Sequence, residues 1–238
     1  MPFGLTNAPA TFNRLMERVF QKHQAYVGVF FDDIIVHSLT MEEHKEHLKT
    51  IFKELRAHNL YVNGKESEFF MREIKYLGHI IFKDGIRMDP GKLQVINEWP
   101  VPKNLHELRS FIGMCSYYRR FIEKFSVIAG PLHDLTKKKV QFKWTAREHE
   151  AFKELKAQLM SQPLLVLLDL RKPFGVHYDA SGDSLGGVLS QEAHPIAYES
   201  HRLHDHKLSL GIYEKELLAV IHSLDAWKHY LLGTPRII

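Results

Sequence analysis

Two adjacent carboxylates, Asp32 and Asp33, interrupt an apolar run, Phe30-Phe31-Asp32-Asp33-Ile34-Ile35-Val36. This pair constrains the fold more than any other feature. Like charges this close repel, and each resists burial without a compensating cation or donor. Tyr26–Phe31 and Ile34–Val36 are β-branched and aromatic, so the pattern predicts two strands joined by a two-residue acidic turn at Asp32-Asp33. A polar β-turn explains the pair, since Asp is a good turn residue. A divalent cation also explains it, because Mg²⁺ takes hard oxygen ligands and binds one or two carboxylates together with substrate phosphates. The pair alone leaves both readings open.

The flanking pattern predicts alternating helices and short strands. Asn7 to about Gln21 reads as a helix, with Phe12, Leu15, Met16, Val19 and Phe20 at helical spacing. Thr40 and Glu43 resemble a capping box opening a helix to about His58, with Leu48, Ile51, Phe52 and Leu55 on one face. Short strands are expected around Leu60–Val62, Phe69–Phe70 and Tyr76–Phe82, followed by a turn at Asp84-Gly85. Asp89 to about Thr136 is helical and broken by Pro90, Pro100, Pro102 and Pro131. Lys137-Lys138-Lys139 is a short charged linker. A helix from about Thr145 to Met160 leads into apolar Leu164–Leu168. Strands follow at Phe174–Tyr178, Gly186–Gln191 and Pro195–Tyr198. A long helix from Ser209 to Tyr230 carries Leu217, Leu218, Val220, Ile221 and Leu224; Gly233 ends it, and Pro235–Ile238 opens a further strand.

Asp179 ends one of those strands and Glu216 lies on the long helix. Taken singly, such residues are usually a turn residue and a solvated surface group. The chain has 238 residues, a formal charge of +4 and a pI near 9.0, a mild cationic excess that suits a polyanionic partner. Cys115 is the single cysteine, which excludes an internal disulfide and a Cys-based zinc site and makes a cytosolic or nuclear compartment the default. No apolar run approaches the roughly 20 residues that span a bilayer, and the start lacks the segments of a signal peptide. The 16 histidines are dispersed; His44 with His47, and His201, His204 and His206, sit among polar residues and are expected to be solvated.

Longer stretches carry a resemblance. Phe30-Phe31-Asp32-Asp33 resembles the aromatic-X-Asp-Asp hairpin of reverse transcriptases, and the segment Met1 to Phe12 (MPFGLTNAPATF) is similar to the one preceding it in Ty3/gypsy retrotransposons. His44, His47 and Leu48, then Tyr76-Leu77-Gly78-His79, Trp99-Pro100-Val101-Pro102, Ser110-Phe111-Ile112-Gly113 and Tyr117-Tyr118-Arg119-Arg120-Phe121-Ile122 follow in the family's order. Further on, Phe174 to Ser181, Gly186 to Gln191, Pro195 to Tyr198 and Tyr213 to Val220 resemble the RNase H-like domain of the same polyproteins.

The resemblance implies an α+β chain: a partial palm over 1–82, helical thumb and connection over 83–136, and a C-terminally truncated RNase H-like mixed sheet over 137–238. It implies Asp32 as the main ligand of a two-metal Mg²⁺ site and Asp33 as its weaker partner. Pro2, Phe3 and Gly4 would lie near the templating base and the incoming deoxynucleotide, with Phe30 beside the acids. Leu77 and Gly78 would belong to the hairpin that grips the primer end. Asp179 and Glu216 would help hold the Mg²⁺ ions of RNA-strand hydrolysis. The partners implied are an RNA or DNA template-primer and an RNA–DNA hybrid, with no membrane. A third polymerase carboxylate is expected before Met1 and a further RNase H acid after Ile238, so the isolated chain is expected to be inactive. Gly64-Lys65-Glu66-Ser67 departs from the family's Leu-Lys-Lys-Cys-like stretch and leaves Lys65 as the lysine for the leaving pyrophosphate; Glu199 and His37 replace frequent aromatics. The alternatives are a non-enzymatic nucleic-acid-binding module and a decayed remnant without function.

Overall fold

A computed structural model describes residues 6–161 and 164–232. The chain divides into two compact units, Met1–Arg72 and Glu73–Ile238.

In the first unit, α1 (Ala8–Val19) has Pro9 in its first turn, where the missing N–H costs nothing. The strands β1 (Val27–Phe30) and β2 (Asp33–Val36) form an antiparallel pair. Met16, Val19 and Phe20 of α1, Val27 of β1, and Ile51 and Leu55 of α2 (Met41–Ala57) form one buried cluster. The capping box holds: the Thr40 hydroxyl accepts from the Glu43 N–H at 3.2 Å, and the Glu43 carboxylate accepts from the Thr40 N–H at 3.3 Å. Leu15 and Phe52, expected on the inner faces, are exposed. The strands expected around Leu60–Val62 and Phe69–Phe70 do not form. Asn63 instead folds the chain into a turn, its side-chain oxygen taking the Lys65 N–H at 3.2 Å and its carbonyl the Glu66 N–H at 3.1 Å.

In the second unit, the run expected as one strand at Tyr76–Phe82 is a hairpin. β3 (Glu73–Tyr76) and β4 (His79–Phe82) pair across Leu77-Gly78, and β4 pairs with β5 (Gly85–Met88). The helices α3 (Pro90–Asn97), α4 (Leu105–Tyr117), α5 (Phe125–Ile128) and α6 (Gly130–Leu135) follow, then α7 (Ala146–Met160). Their apolar faces share one core that includes Phe111, Cys115, Phe121, Leu132, Phe152 and Leu155. Thr145 and Glu148 form a second capping box at the start of α7.

Strands β6 (Gly175–Ser181), β7 (Ser184–Gln191) and β8 (His194–Arg202) make an antiparallel sheet covered on one face by α8 (Ile212–Leu231). The long helix meets the sheet through Ala219, Ser223, Trp227 and Leu231, spaced by four. Leu217, Ile221 and Leu224, expected on a core face, lie on its exposed side. Gly187 on β7 permits this approach, because a Cβ there would lie 2.5 Å from Ser223 Oγ and 3.0 Å from the Trp227 ring.

Lys137-Lys138-Lys139 does not mark a division between compact units. The helices pack on the other face of β8. Arg202 of β8 bonds Asp134 of α6 at 3.1 Å and Asp183 at 2.8 Å, and Ser200 Oγ accepts the Ser126 N–H at 2.8 Å. Leu165 extends the joint, donating to and accepting from Ile86 of β5, while the Val166 N–H reaches Pro195 O of β8 at 3.0 Å. The readings of Gly233 and of Pro235–Ile238 lie outside the described residues. No described helix is long and apolar enough to cross a membrane.

Candidate metal-binding and nucleic-acid sites

The turn of the first hairpin is Phe31-Asp32, not Asp32-Asp33. Asp33 is the first residue of β2 and pairs with Phe30. Phe31 takes the sterically disfavoured left-handed conformation, φ 53°, and its N–H is held by Asn13 Oδ1 at 3.3 Å. This shift by one residue separates the two acids by role: Asp32 sits in the turn while Asp33 emerges from the ladder. Both are exposed, and neither carboxylate has a hydrogen-bond or ion-pair partner among the described residues. Phe30 and Phe31 pack edge-to-face beside them, with ring centroids 4.5 Å apart.

Two unpaired carboxylates on an exposed tip supply hard oxygen donors and fit a divalent ion as a partial ligand set. Among the described residues no third His, Cys, Asp or Glu joins them in a cluster. Lys65 is exposed in the Asn63 turn, and no hydrogen bond or ion pair links it to either acid. Pro2, Phe3 and Gly4 lie outside the described residues.

Asp179 sits within β6, opposite Gly186 of β7, rather than at the strand's end. Alternation along the strand puts it on the sheet face opposite Val176 and Ala180, whose side chains join the clusters made with α8. Glu216 is carried by α8 in the second turn of that helix, two turns before the buried Ser223. The neighbouring Lys215 ties this end of the helix to the β6–β7 turn, its ammonium reaching Gly182 O at 2.9 Å. Both acids are exposed and neither is bonded to the other.

Leu77 and Gly78 form the β3–β4 turn with φ 47° and 71°. The carbonyl of Leu77 accepts from the Tyr117 hydroxyl, and that of Gly78 from the Tyr118 hydroxyl at 3.0 Å. Glycine is required at 78, since a Cβ would lie 2.7 Å from the Tyr118 hydroxyl oxygen.

Several polar groups were not legible as partners. His44 and His47 are not simply solvated: both Nδ1 atoms bond Ser38 Oγ, at 3.1 and 2.8 Å, and His47 stacks on Tyr26 at 3.7 Å. Glu199 is largely covered and lies 3.5 Å from both Arg119 and His222, at ion-pair rather than hydrogen-bond distance. Its burial would raise the carboxyl, but His222 and Arg119 outweigh that and hold it low.

Burial is also the main cause that pushes the imidazoles of His79, His133 and His201 down from their ordinary value. The unfolded chain therefore takes up protons first as pH falls. Stability is full above the ordinary histidine value of about 6.5 and is lost as pH drops toward the depressed folded values. The urea midpoint of the second unit is expected to fall between pH 7.5 and 5.5. An unchanged or higher midpoint at 5.5 would contradict the assignment.

The reverse transcriptase (RNA-dependent DNA polymerase) family matches residues 1–81, and the RNase H-like domain found in reverse transcriptase matches residues 144–238. The chain is 40% identical over 240 residues to the retrovirus-related Pol polyprotein from transposon 297 of Drosophila melanogaster, covering 100% of this chain and 23% of that protein. It is 35% identical to the transposon Tf2-3 polyprotein of Schizosaccharomyces pombe, covering 98% of this chain and 18% of that one. The chain thus spans under a quarter of these relatives. The structure of the foamy viral protease–reverse transcriptase in complex with RNA/DNA hybrid superposes with TM-score 0.90 and 27% identity, covering 100% of this chain and 33% of that one. Its complex with double-stranded DNA gives 0.89 and 28%, covering 100% and 51%. With its two matched segments in the expected order, the chain belongs to the reverse transcriptases of retrotransposon polyproteins and carries their RNase H-like domain behind the polymerase part.

Proposed function

We propose that the chain is the palm-tip, thumb and RNase H-like portion of a Ty3/gypsy-type RNA-directed DNA polymerase, and that it holds template-primer and RNA–DNA hybrid. The functional division is palm over 1–82, thumb and connection over 83–136, and RNase H-like domain over 137–238. The observation that carries this reading is the pair Asp32 and Asp33, exposed and without a cation partner at a hairpin tip. A turn accepts an Asp readily but is not helped by the repulsion of a second, adjacent unpaired charge, whereas a metal-dependent phosphoryl transfer uses both carboxylates there.

The family uses divalent metal ions, and magnesium is the ion proposed. Asp32 is the main ligand and Asp33 the second. When bound, a metal pair would stabilise the attacking and leaving oxygens of the displacement. The rest falls to the chain's own groups. Phe30 is assigned to the nucleotide site beside the acids, and Pro2, Phe3 and Gly4 to the nucleotide; Lys65 is assigned as the proton donor for pyrophosphate, and Leu77 and Gly78 to the primer end. Asp179 and Glu216 are the ligands of the RNA-cleaving site.

A second reading, a nucleic-acid-binding module without chemistry of its own, is favoured by one observation: neither acidic pair gains a third ligand among the described residues. Fluorescence anisotropy of a labelled RNA–DNA hybrid with this chain tests what the two readings share. Affinity is expected to fall about tenfold or more between roughly 50 and 200 mM salt, because each counterion released on phosphate contact gains less entropy in the saltier solution. Absent or salt-insensitive binding would contradict both.

A further inference from the structure

The β3–β4 turn is tied down far more heavily than a hairpin of four-residue strands requires. Tyr117 and Tyr118, consecutive residues at the end of α4, reach back 40 residues to its two carbonyls. Leu77 O also accepts from His79 Nδ1 at 2.8 Å, and Gly78 O from the Asp89 N–H at 3.1 Å. Each carbonyl therefore receives two donors, which fills both of its lone-pair directions. The N–H groups of Leu77 and Gly78, by contrast, have no partner among the described residues.

The backbone needs this restraint. Leu77 occupies the left-handed region at φ 47°, which a leucine adopts only where the surroundings over-determine it. The surroundings are aromatic: the His79 ring packs on Tyr117, Tyr118 and Phe121, with centroids 5.4–5.6 Å away. Tyr118 is 1% exposed, and burial pushes its phenol up to about 12, so its hydroxyl stays a donor at any working pH.

We propose that Tyr117 and Tyr118 are positioning residues for the primer terminus: their hydroxyls fix the two peptide planes of the Leu77–Gly78 turn, which in turn orients the primer end. The inference rests on the reading of Leu77 and Gly78 as the primer contact. It assigns the tyrosines no contact with nucleic acid; they act by removing freedom from a backbone that would otherwise relax out of its left-handed conformation.

The test uses the whole chain with Tyr117→Phe, Tyr118→Phe and the double variant, which keep the rings and delete only the hydroxyls. The first readout is the NMR order parameter of the Leu77 and Gly78 amides without nucleic acid. It is expected to drop from the rigid range near 0.85 toward 0.6 in the double variant. The second is the affinity ratio between a hybrid with a recessed primer 3′ end and a hybrid of equal length closed by loops at both ends. That ratio is expected to fall about tenfold, the effect of two lost hydrogen bonds, with affinity for the closed hybrid unchanged. Should the double variant fail to fold, the single Tyr117→Phe, half exposed, carries the same comparison at about threefold.

Unchanged order parameters overturn the clamp whatever the binding shows. Loosened amides with an unchanged ratio overturn the positioning role and leave the primer contact standing. A wild-type chain that binds hybrid without preferring a recessed end overturns the primer contact itself, and the positioning role with it.

Discussion

Asp32→Asn is expected to lower magnesium-dependent primer extension by about a thousandfold or more, measured in a polyprotein that carries residues 1–238 in frame. An amide keeps the shape of the carboxylate and removes its charge, so a metal ligand fails while the turn persists. The expected size follows from what single electrostatic stabilisers contribute to a transition state, about 3–4 kcal/mol each, with a metal ligand at or above that range. Folding is expected to be indifferent, because Asp32 is exposed and makes no bond that asparagine would lose. Asp33→Asn is expected to cost less, since Asp33 is committed to the β2 ladder opposite Phe30 and is the secondary ligand. Extension within tenfold of wild type in Asp32→Asn would remove Asp32 from the chemistry.

The second large effect is on stability. Phe111 on α4 is fully buried, with ring centroids 4.6 Å from Phe152 of α7 and 6.0 Å from Trp99. Phe111→Ala deletes the ring that joins these elements and leaves a cavity between helices unable to close over it. The expected loss is about 3–5 kcal/mol, which lowers a urea midpoint by roughly 1–3 M. Trp99, Trp144 and Trp227 are the chain's three tryptophans and all lie in the second unit, so their fluorescence reports this transition. Val95→Ala, at an exposed position of α3, is the control and is expected to stay within about 0.5 kcal/mol. Equal midpoints for the two variants would show that the shared core of α4 and α7 is not what holds the unit together.

Much of the architecture was legible because its signals are local. Thr40 with Glu43 places a helix start by side-chain chemistry confined to four residues, and the structure shows the same device at Thr145 and Glu148. Strands β6 to β8 follow apolar runs in the sequence, and their ends lie within four residues of where those runs place them. Periodicity misjudged α8, where Leu217, Ile221 and Leu224 mark the outer face while small Ala219 and Ser223 take the inner one. Gly187 makes room for Ser223 and the large Trp227 on that inner face, and only tertiary packing reveals it. Leu60–Val62 and Phe69–Phe70 have the composition of strands but find no neighbouring strand to pair with, and composition alone cannot supply one.

The candidate sites were legible unevenly. The acids themselves stand out from the residues, and the family pattern adds their roles. The one-residue shift that puts Phe31 in the turn did not stand out, because it depends on Asn13 holding the Phe31 N–H. The grip of Tyr117 and Tyr118 on Leu77 and Gly78 spans 40 residues and leaves no local trace. The bond between Asp134 and Arg202 spans 68, and the apparent linker at Lys137-Lys138-Lys139 therefore sits inside a single compact unit.

The central claim is that Asp32 and Asp33 are metal ligands rather than turn residues. Titration of the isotope-labelled chain with Mn²⁺, a paramagnetic stand-in for Mg²⁺, tests it most directly, with amide line broadening read residue by residue. The account predicts selective broadening of Phe30 to Ile34 in the wild type, reversed by excess Mg²⁺ and lost in Asp32→Asn. Broadening that spares this hairpin, or that persists unchanged in Asp32→Asn, would contradict it.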